Sequence, residues 1–132
     1  MTKTRNVYFN PNPMKHEVGD CTVRACCVAT GKSWDEVYRV LCDIGFELKR
    51  MPTDRECVRA YLSTFGFIRT GISNKKGSKR PTVANFAASH KTGVYVLEIA
   101  HHLVGLKDGK YYDLWDAGDK SLYGYLSGPD SN

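Results

Sequence analysis

Gly19-Asp20-Cys21-Thr22-Val23-Arg24-Ala25-Cys26-Cys27-Val28-Ala29-Thr30-Gly31 is the stretch that decides how this chain is read. Asp20 suits an N-cap, Cys21 then becomes the first helical residue, and Val23, Ala25, Cys26, Cys27 and Ala29 make an almost wholly apolar helix that Gly31 ends. A helix with so little polar surface belongs at the centre of a domain. A thiol at its first position has a second meaning. Only a thiolate attacks, and a helix N-terminus and a nearby imidazolium are the two usual ways to lower a cysteine pKa.

Outward from this helix the pattern is first helical, then extended. Ser33-Trp34-Asp35-Glu36 reads as a capping box, followed by Val37, Val40, Leu41 and Ile44 at helical spacing before Gly45. Thr53-Asp54-Arg55-Glu56 repeats the signal ahead of Val58, Tyr61 and Leu62, with Gly66 as the stop, and Thr82 to Ala87 reads as a further short helix. Upstream, residues 6 to 18 carry Pro11 and Pro13 between asparagines and read as an extended, turn-rich lead-in. The character changes at Gly93. Val94 to Ile99, His102 to Lys107 and Lys110 to Trp115 read as three consecutive strands, with Tyr123 to Leu126 as a fourth. The expectation is a single α+β domain over residues 1–132, with a helical half at about 19–90 and an antiparallel sheet at about 93–126.

Asp108-Gly109 is a two-residue hairpin signal, and it sets a register. Lys107 then faces Lys110, and counting outward puts Val104 opposite Asp113, His102 opposite Trp115 and His101 opposite Asp116. His102 and Asp113 share a face at diagonal positions, roughly 5 to 8 Å apart at Cβ, within reach of a hydrogen bond that fixes the tautomer. Cys21 as nucleophile, His102 as base and Asp113 as orienting carboxylate form the expected catalytic set, with His101 and Asp116 as alternative partners on the opposite face. Cys26, Cys27, Cys42 and Cys57 read as packed small hydrophobes. Trp115, beside the histidine, reads either as a shield for the ion pair or as core.

Composition bounds the remainder. The odd count of five cysteines, without metal-ligand spacing, argues against a disulfide framework and a structural zinc site, so reduced thiols, no metal and no cofactor are expected. The first residues lack the apolar region of a signal peptide and no apolar run is long enough to span a bilayer, which points to a cytoplasmic protein with no membrane partner. Net charge is +5, and the one dense basic run is Lys75-Lys76 with Lys79-Arg80. Without aromatic or motif signals beside it, that run reads as a solvated loop rather than a nucleic-acid site.

Three stretches carry a family resemblance: Gly19 to Ala25, Gly31-Lys32-Ser33-Trp34-Asp35-Glu36-Val37-Tyr38, and His102-Leu103-Val104 leading to Asp108-Gly109-Lys110-Tyr111-Tyr112-Asp113-Leu114-Trp115-Asp116. They resemble small papain-like cysteine peptidases of bacteriophage and bacterial genomes, from about Asn10 to Tyr125. The Asp-Cys helix and the His/Asp hairpin are also similar to the bacteriocin-processing peptidase domains of ABC exporters. The resemblance implies a papain-like fold, with a helical half carrying Cys21 packed on a sheet carrying His102 and Asp113 and a cleft between them. For a phage-encoded protein it implies the host cytoplasm. In that family a Gln shortly before the nucleophile donates to the oxyanion, whereas Lys15, His16 and Glu17 occupy this region here. The Cys21 N–H with a side-chain amide of Asn10 or Asn12 is the substitute, although both asparagines equally suit turns before proline. Asp20 and Trp115 are the candidate cleft residues.

The expected activity is hydrolysis of a peptide or isopeptide through a thioester on Cys21. The same residues also suit amidase, deamidase and transglutaminase chemistry. The competing expectation is a weakly active or inactive papain-like scaffold, a phage or bacterial effector that binds a host protein or ligand. The third is a nucleic-acid accessory factor acting through Lys75, Lys76, Lys79 and Arg80.

Overall fold

The computed structural model describes residues 5–73 and 79–131. The elements run β1 (Asn6–Tyr8), α1 (Cys21–Thr30), α2 (Trp34–Leu48), α3 (Arg55–Ser63), β2 (Ile68–Gly71), α4 (Val83–Ser89), β3 (Val94–Ile99), β4 (His102–Lys107), β5 (Lys110–Asp113) and β6 (Gly124–Ser127). All ten form one mixed α+β unit around a six-stranded sheet of order β1-β5-β4-β3-β6-β2.

Side-chain alternation along the central strands divides the core in two. Val96 of β3 and Leu103 of β4 face a cluster built with α1, α2 and α3, containing Val23, Cys26, Cys27, Leu41, Cys57, Val58 and Leu62. Tyr95, Leu97 and Ile99, with Val104 and Leu106, face the other cluster, closed by Val83, Phe86 and Ala87 of α4. Strands buried on both faces explain why 94–99 and 102–107 carry apolar residues at both parities.

The sheet departs from the antiparallel expectation at its first edge. The stretch expected as a lead-in contributes β1, which pairs in parallel with β5 (Asn6 with Tyr111, Tyr8 with Asp113), so the sheet is mixed. β2, inside the expected helical half, forms the opposite edge against β6. It is only four residues long and exposed throughout, so no alternation marked it. α2 also runs past Gly45 to Leu48. A Cβ at position 45 would lie 2.6 Å from the Arg50 carbonyl oxygen, so this glycine serves close packing within the element rather than a stop. Ser33 caps as expected, α3 uses Asp54 instead of Thr53, and α4 starts from a capping box between Thr82 and Asn85.

A buried carboxylate links α3 to the sheet. Glu98 of β3 accepts from Arg59 Nε and Nη2 at 3.0 and 2.9 Å and from Arg69 Nη2 of β2 at 2.9 Å. Burial alone would raise its pKa, yet the two guanidinium groups hold it below the ordinary carboxylate value.

α1 lies directly on β4, and one position permits the approach. A Cβ on Gly105 would stand 2.5 Å from the Val28 Cβ. Gly105→Ala is therefore expected to force α1 off the strand at a cost of about 1–3 kcal/mol, read as a lowered urea midpoint. An unchanged midpoint would show that α1 shifts freely on the sheet.

Candidate active site

The β4–β5 hairpin has the register that Asp108-Gly109 predicts. Both turn residues have positive φ, 50° and 79°, and Lys107 pairs with Lys110, Leu106 with Tyr111 and Gly105 with Tyr112. His102 begins β4 and Asp113 ends β5, so the two side chains meet diagonally at the end of the hairpin. His102 Nε2 lies 2.6 Å from Asp113 Oδ2. Asp113 is fully buried, and its Oδ1 accepts the Leu114 N–H at 2.8 Å. With Nε2 committed to the carboxylate, Nδ1 is the imidazole nitrogen left for a second partner.

The Cys21 thiol, at the first position of α1, stands beside His102 and the Leu103 N–H. Burial works against the thiolate, but hydrogen bonding by His102 and the Leu103 N–H and the charges of His102 and Arg24 outweigh it and hold the Cys21 pKa below 9.0. Burial likewise opposes the imidazolium, yet the bonds to Asp113 and Cys21 push His102 up to about 9. The two shifts run in opposite directions, and both favour the charged thiolate–imidazolium form of the pair. The other core thiols are driven the opposite way. Burial raises Cys26 and Cys57 and pushes Cys27 up to about 12.

Asp20 ends α1 differently from the expectation. Its backbone carbonyl accepts the Arg24 N–H at 2.9 Å, but its carboxylate caps no first-turn N–H group. It is buried and turned to Arg24 Nη2 at 2.5 Å and Trp34 Nε1 at 2.8 Å, so it supports the site from behind and does not line a cleft. Arg24 extends the chain of contacts by donating through Nη1 to Asp113 Oδ1 at 3.1 Å. Sequence reasoning missed both Arg24 and Trp34 as site residues. The available signal was a charge set one turn after Cys21 in an otherwise apolar helix. Arg55 of α3 was missed as well; it donates to the main-chain carbonyls of Ile99 and His102, tying down the turn that carries the histidine.

The alternative pair is not brought together. His101 sits exposed in the β3–β4 turn with φ 54°, while Asp116 accepts from the Tyr111 hydroxyl at 2.9 Å and the Gly118 N–H at 2.8 Å. The local turns at 100–101 and 114–118 break the register that linked them. Trp115 lies with its ring 4.8 Å from the imidazole and remains 44 % exposed, covering His102 without being core. Beside it, a cavity of about 410 Å³ is lined by Ile99, His101, His102, Trp115, Lys120 and Tyr123.

Asn10 and Asn12 are both buried. Asn10 organises its own loop, accepting the Asn12 N–H at 3.2 Å and donating to the His16 carbonyl at 3.4 Å. Asn12 accepts the Met14 N–H at 2.8 Å through Oδ1, the turn role anticipated for it. The loop starts from Phe9, whose N–H donates to the Asp113 main-chain carbonyl at 3.0 Å, so both amides stand on a segment anchored to the residue that holds His102. In the basic run, Lys75 and Lys76 lie outside the described residues, Lys79 is exposed, and the Arg80 guanidinium stacks 4.6 Å from the Tyr123 ring centroid. Among the described residues, no group of three metal-ligating side chains comes together and no helix is long and apolar enough to cross a membrane.

The raised His102 pKa has a stability consequence of definite sign. Its stabilisation is fully present below the ordinary value of 6.5 and is lost as pH rises through about 9. Cys21, shifted downward, works in the opposite sense, so Cys21→Ala isolates the histidine. In that variant, stability to urea should fall between pH 6.5 and 9 by more than it falls in Cys21→Ala/Asp113→Asn. Parallel pH profiles would show that the carboxylate does not hold the imidazolium.

No protein-family model matches this chain, and neither a curated protein nor a solved structure shows significant similarity to it.

Proposed function

We propose that this protein is a cysteine hydrolase of papain-like type acting on a peptide or isopeptide bond. The observation that carries the reading is His102 held between a buried carboxylate and a thiol at a helix N-terminus, with the thiol pKa lowered and the imidazole pKa raised. A lowered thiol beside a raised imidazole at one partly exposed place is what an activated nucleophile requires.

The step follows from these positions. The Cys21 thiolate attacks the carbonyl carbon, and the carbonyl π electrons move to oxygen. The oxyanion forms at the N-terminus of α1, where Asp20 takes none of the first-turn N–H groups and the Cys21 N–H serves as donor. His102 transfers its proton to the leaving nitrogen, the C–N bond breaks, and a thioester remains on Cys21. His102, now neutral, takes a proton from water as the hydroxide adds to the thioester; the C–S bond breaks, the carboxylic acid leaves, and the Cys21 thiolate re-forms beside the His102 imidazolium. Asp113 keeps the imidazole in one tautomer throughout. The Asn12 side-chain Nδ2 makes no hydrogen bond among the described residues and is the candidate second oxyanion donor, whereas the Asn10 amide is spent on its loop.

The cavity beside His102 supports a substrate with an apolar or aromatic group on the leaving side, against Trp115 and Tyr123. The competing reading, a binding scaffold without turnover, would use the same cavity but needs no selective thiol activation. Neither reading draws on the basic run.

Iodoacetamide labelling followed by mass spectrometry at each cysteine separates the two. Cys21 should label selectively at pH 6–7, where an ordinary thiol is only about 1 % ionised, and half-buried Cys42 serves as the internal comparison. His102→Ala should reduce the Cys21 rate at pH 6.5 by at least about tenfold. Uniform slow labelling, indifferent to His102, would leave the scaffold reading in place.

A further inference from the structure

The buried charges around the triad are more numerous than acyl transfer by three residues needs. Arg24 is 3 % exposed and spans two buried carboxylates, Asp20 through Nη2 at 2.5 Å and Asp113 through Nη1 at 3.1 Å. Its contact on Asp113 is to Oδ1; Oδ2 is the oxygen that meets His102 at 2.6 Å. Asp20 is in turn fixed by the Trp34 indole N–H and is the residue covalently joined to Cys21. The contacts therefore close a ring: Cys21, Asp20, Arg24, Asp113, His102 and back to the thiol.

We infer that Arg24 is a positioning residue of the site, one guanidinium that locks the nucleophile helix to the carboxylate of the β5 strand and fixes which oxygen of Asp113 is offered to His102. The inference rests on the hydrolase reading for its consequence in catalysis, though its geometry stands apart from it. Three features support it. A guanidinium has the fork needed to serve two carboxylates at once, which an ammonium on a flexible stem does not. Arg24 sits one helical turn from Cys21, so its reach is set by the helix that sets the thiol. The hairpin alone leaves the Asp113 carboxylate free to rotate, and the Leu114 N–H and Arg24 together hold Oδ1 and point Oδ2 at the imidazole.

The charge has a role beside the geometry. The ionisable groups set against the Cys21–His102 pair are Arg24 from α1 and Asp113 from β5, with Arg55 of α3 on the His102 carbonyl and His101, Asp119 and Lys120 around the cavity that His102 lines. With Arg24 removed, Asp20 and Asp113 lose their shared counter-ion, and Cys21 loses one of the two positive charges that favour its thiolate.

Two readouts on the purified full chain test this, neither needing a substrate. One is the pH midpoint of Cys21 alkylation; the other is the low-field proton signal of the His102 Nε2–H in protein carrying nitrogen-15 histidine. In Arg24→Gln the midpoint should rise by about one pH unit, giving about tenfold slower labelling at pH 6.5, and the Nε2–H signal should broaden as Asp113 loses its hold. A variant with wild-type circular dichroism and both readouts unchanged overturns the inference. If Arg24→Gln does not fold, Arg24→Lys decides. Keeping the charge but losing the fork, it should retain the alkylation midpoint while the Nε2–H signal broadens; a signal as sharp as wild type overturns positioning. Failure of the hydrolase reading is separable, because it appears in the wild-type protein as Cys21 labelling that ignores His102, whereas the Nε2–H signal still reports whether Arg24 orders Asp113.

Discussion

Among the described residues, Arg24 is the side chain that joins two carboxylates the fold has taken out of water, and the arrangement of the site depends on that link. Without it, Asp20 would be a buried ion with no cationic partner, a cost of several kcal/mol, and Asp113 would be left with His102 and the Leu114 N–H alone. The pairing dictates the architecture nearby. α1 must approach β4 and β5 closely enough for a side chain one turn into the helix to reach the end of β5. That demands a helix nearly free of bulky polar groups and a strand that yields at Gly105. Packing of the core and placement of the thiol are one geometric problem, solved by the same contact between helix and strand.

The five cysteines show how far environment separates residues of identical chemistry. Cys26 and Cys27 follow Cys21 by little more than one turn on the same helix, yet burial against apolar neighbours suppresses their ionisation while His102, the Leu103 N–H and Arg24 favour it at Cys21. The difference is the start of the helix. At its first position the side chain stands where first-turn N–H groups and the end of the hairpin converge; one turn later it points into the core.

Much of this was legible in the sequence, for reasons that also explain what was not. Asp108-Gly109 fixes a hairpin register because a two-residue turn with two positive φ values matches the strand twist, and a fixed register makes the His102–Asp113 relation arithmetic. The apolar helix after Asp20 is equally direct. The edge strands were hidden because β1 and β2 are too short to show alternation, and their pairing partners lie more than fifty residues away. Gly45 was misleading because glycine marks both helix ends and close packing, and only the approach of Arg50 and Pro52 distinguishes them. Asp20 looked like a cap because residue type and position both allow it. Its carboxylate instead follows the stronger field of a buried guanidinium, which no local pattern encodes.

The energetics of the ring bear on the choice between a working site and a retained scaffold. A buried network of this kind is seldom the most stable filling for its space, since well-packed apolar residues of similar volume are often neutral or better. A scaffold that only bound a partner through the cavity beside Trp115 could lose Asp20, Arg24 and Asp113 together and keep that cavity, whose walls come from other residues. What such a replacement could not keep is an imidazole fixed in one tautomer against a thiol of lowered pKa. The network therefore suits the proposed chemistry better than it suits binding alone, and its weight lies in orientation rather than in stability.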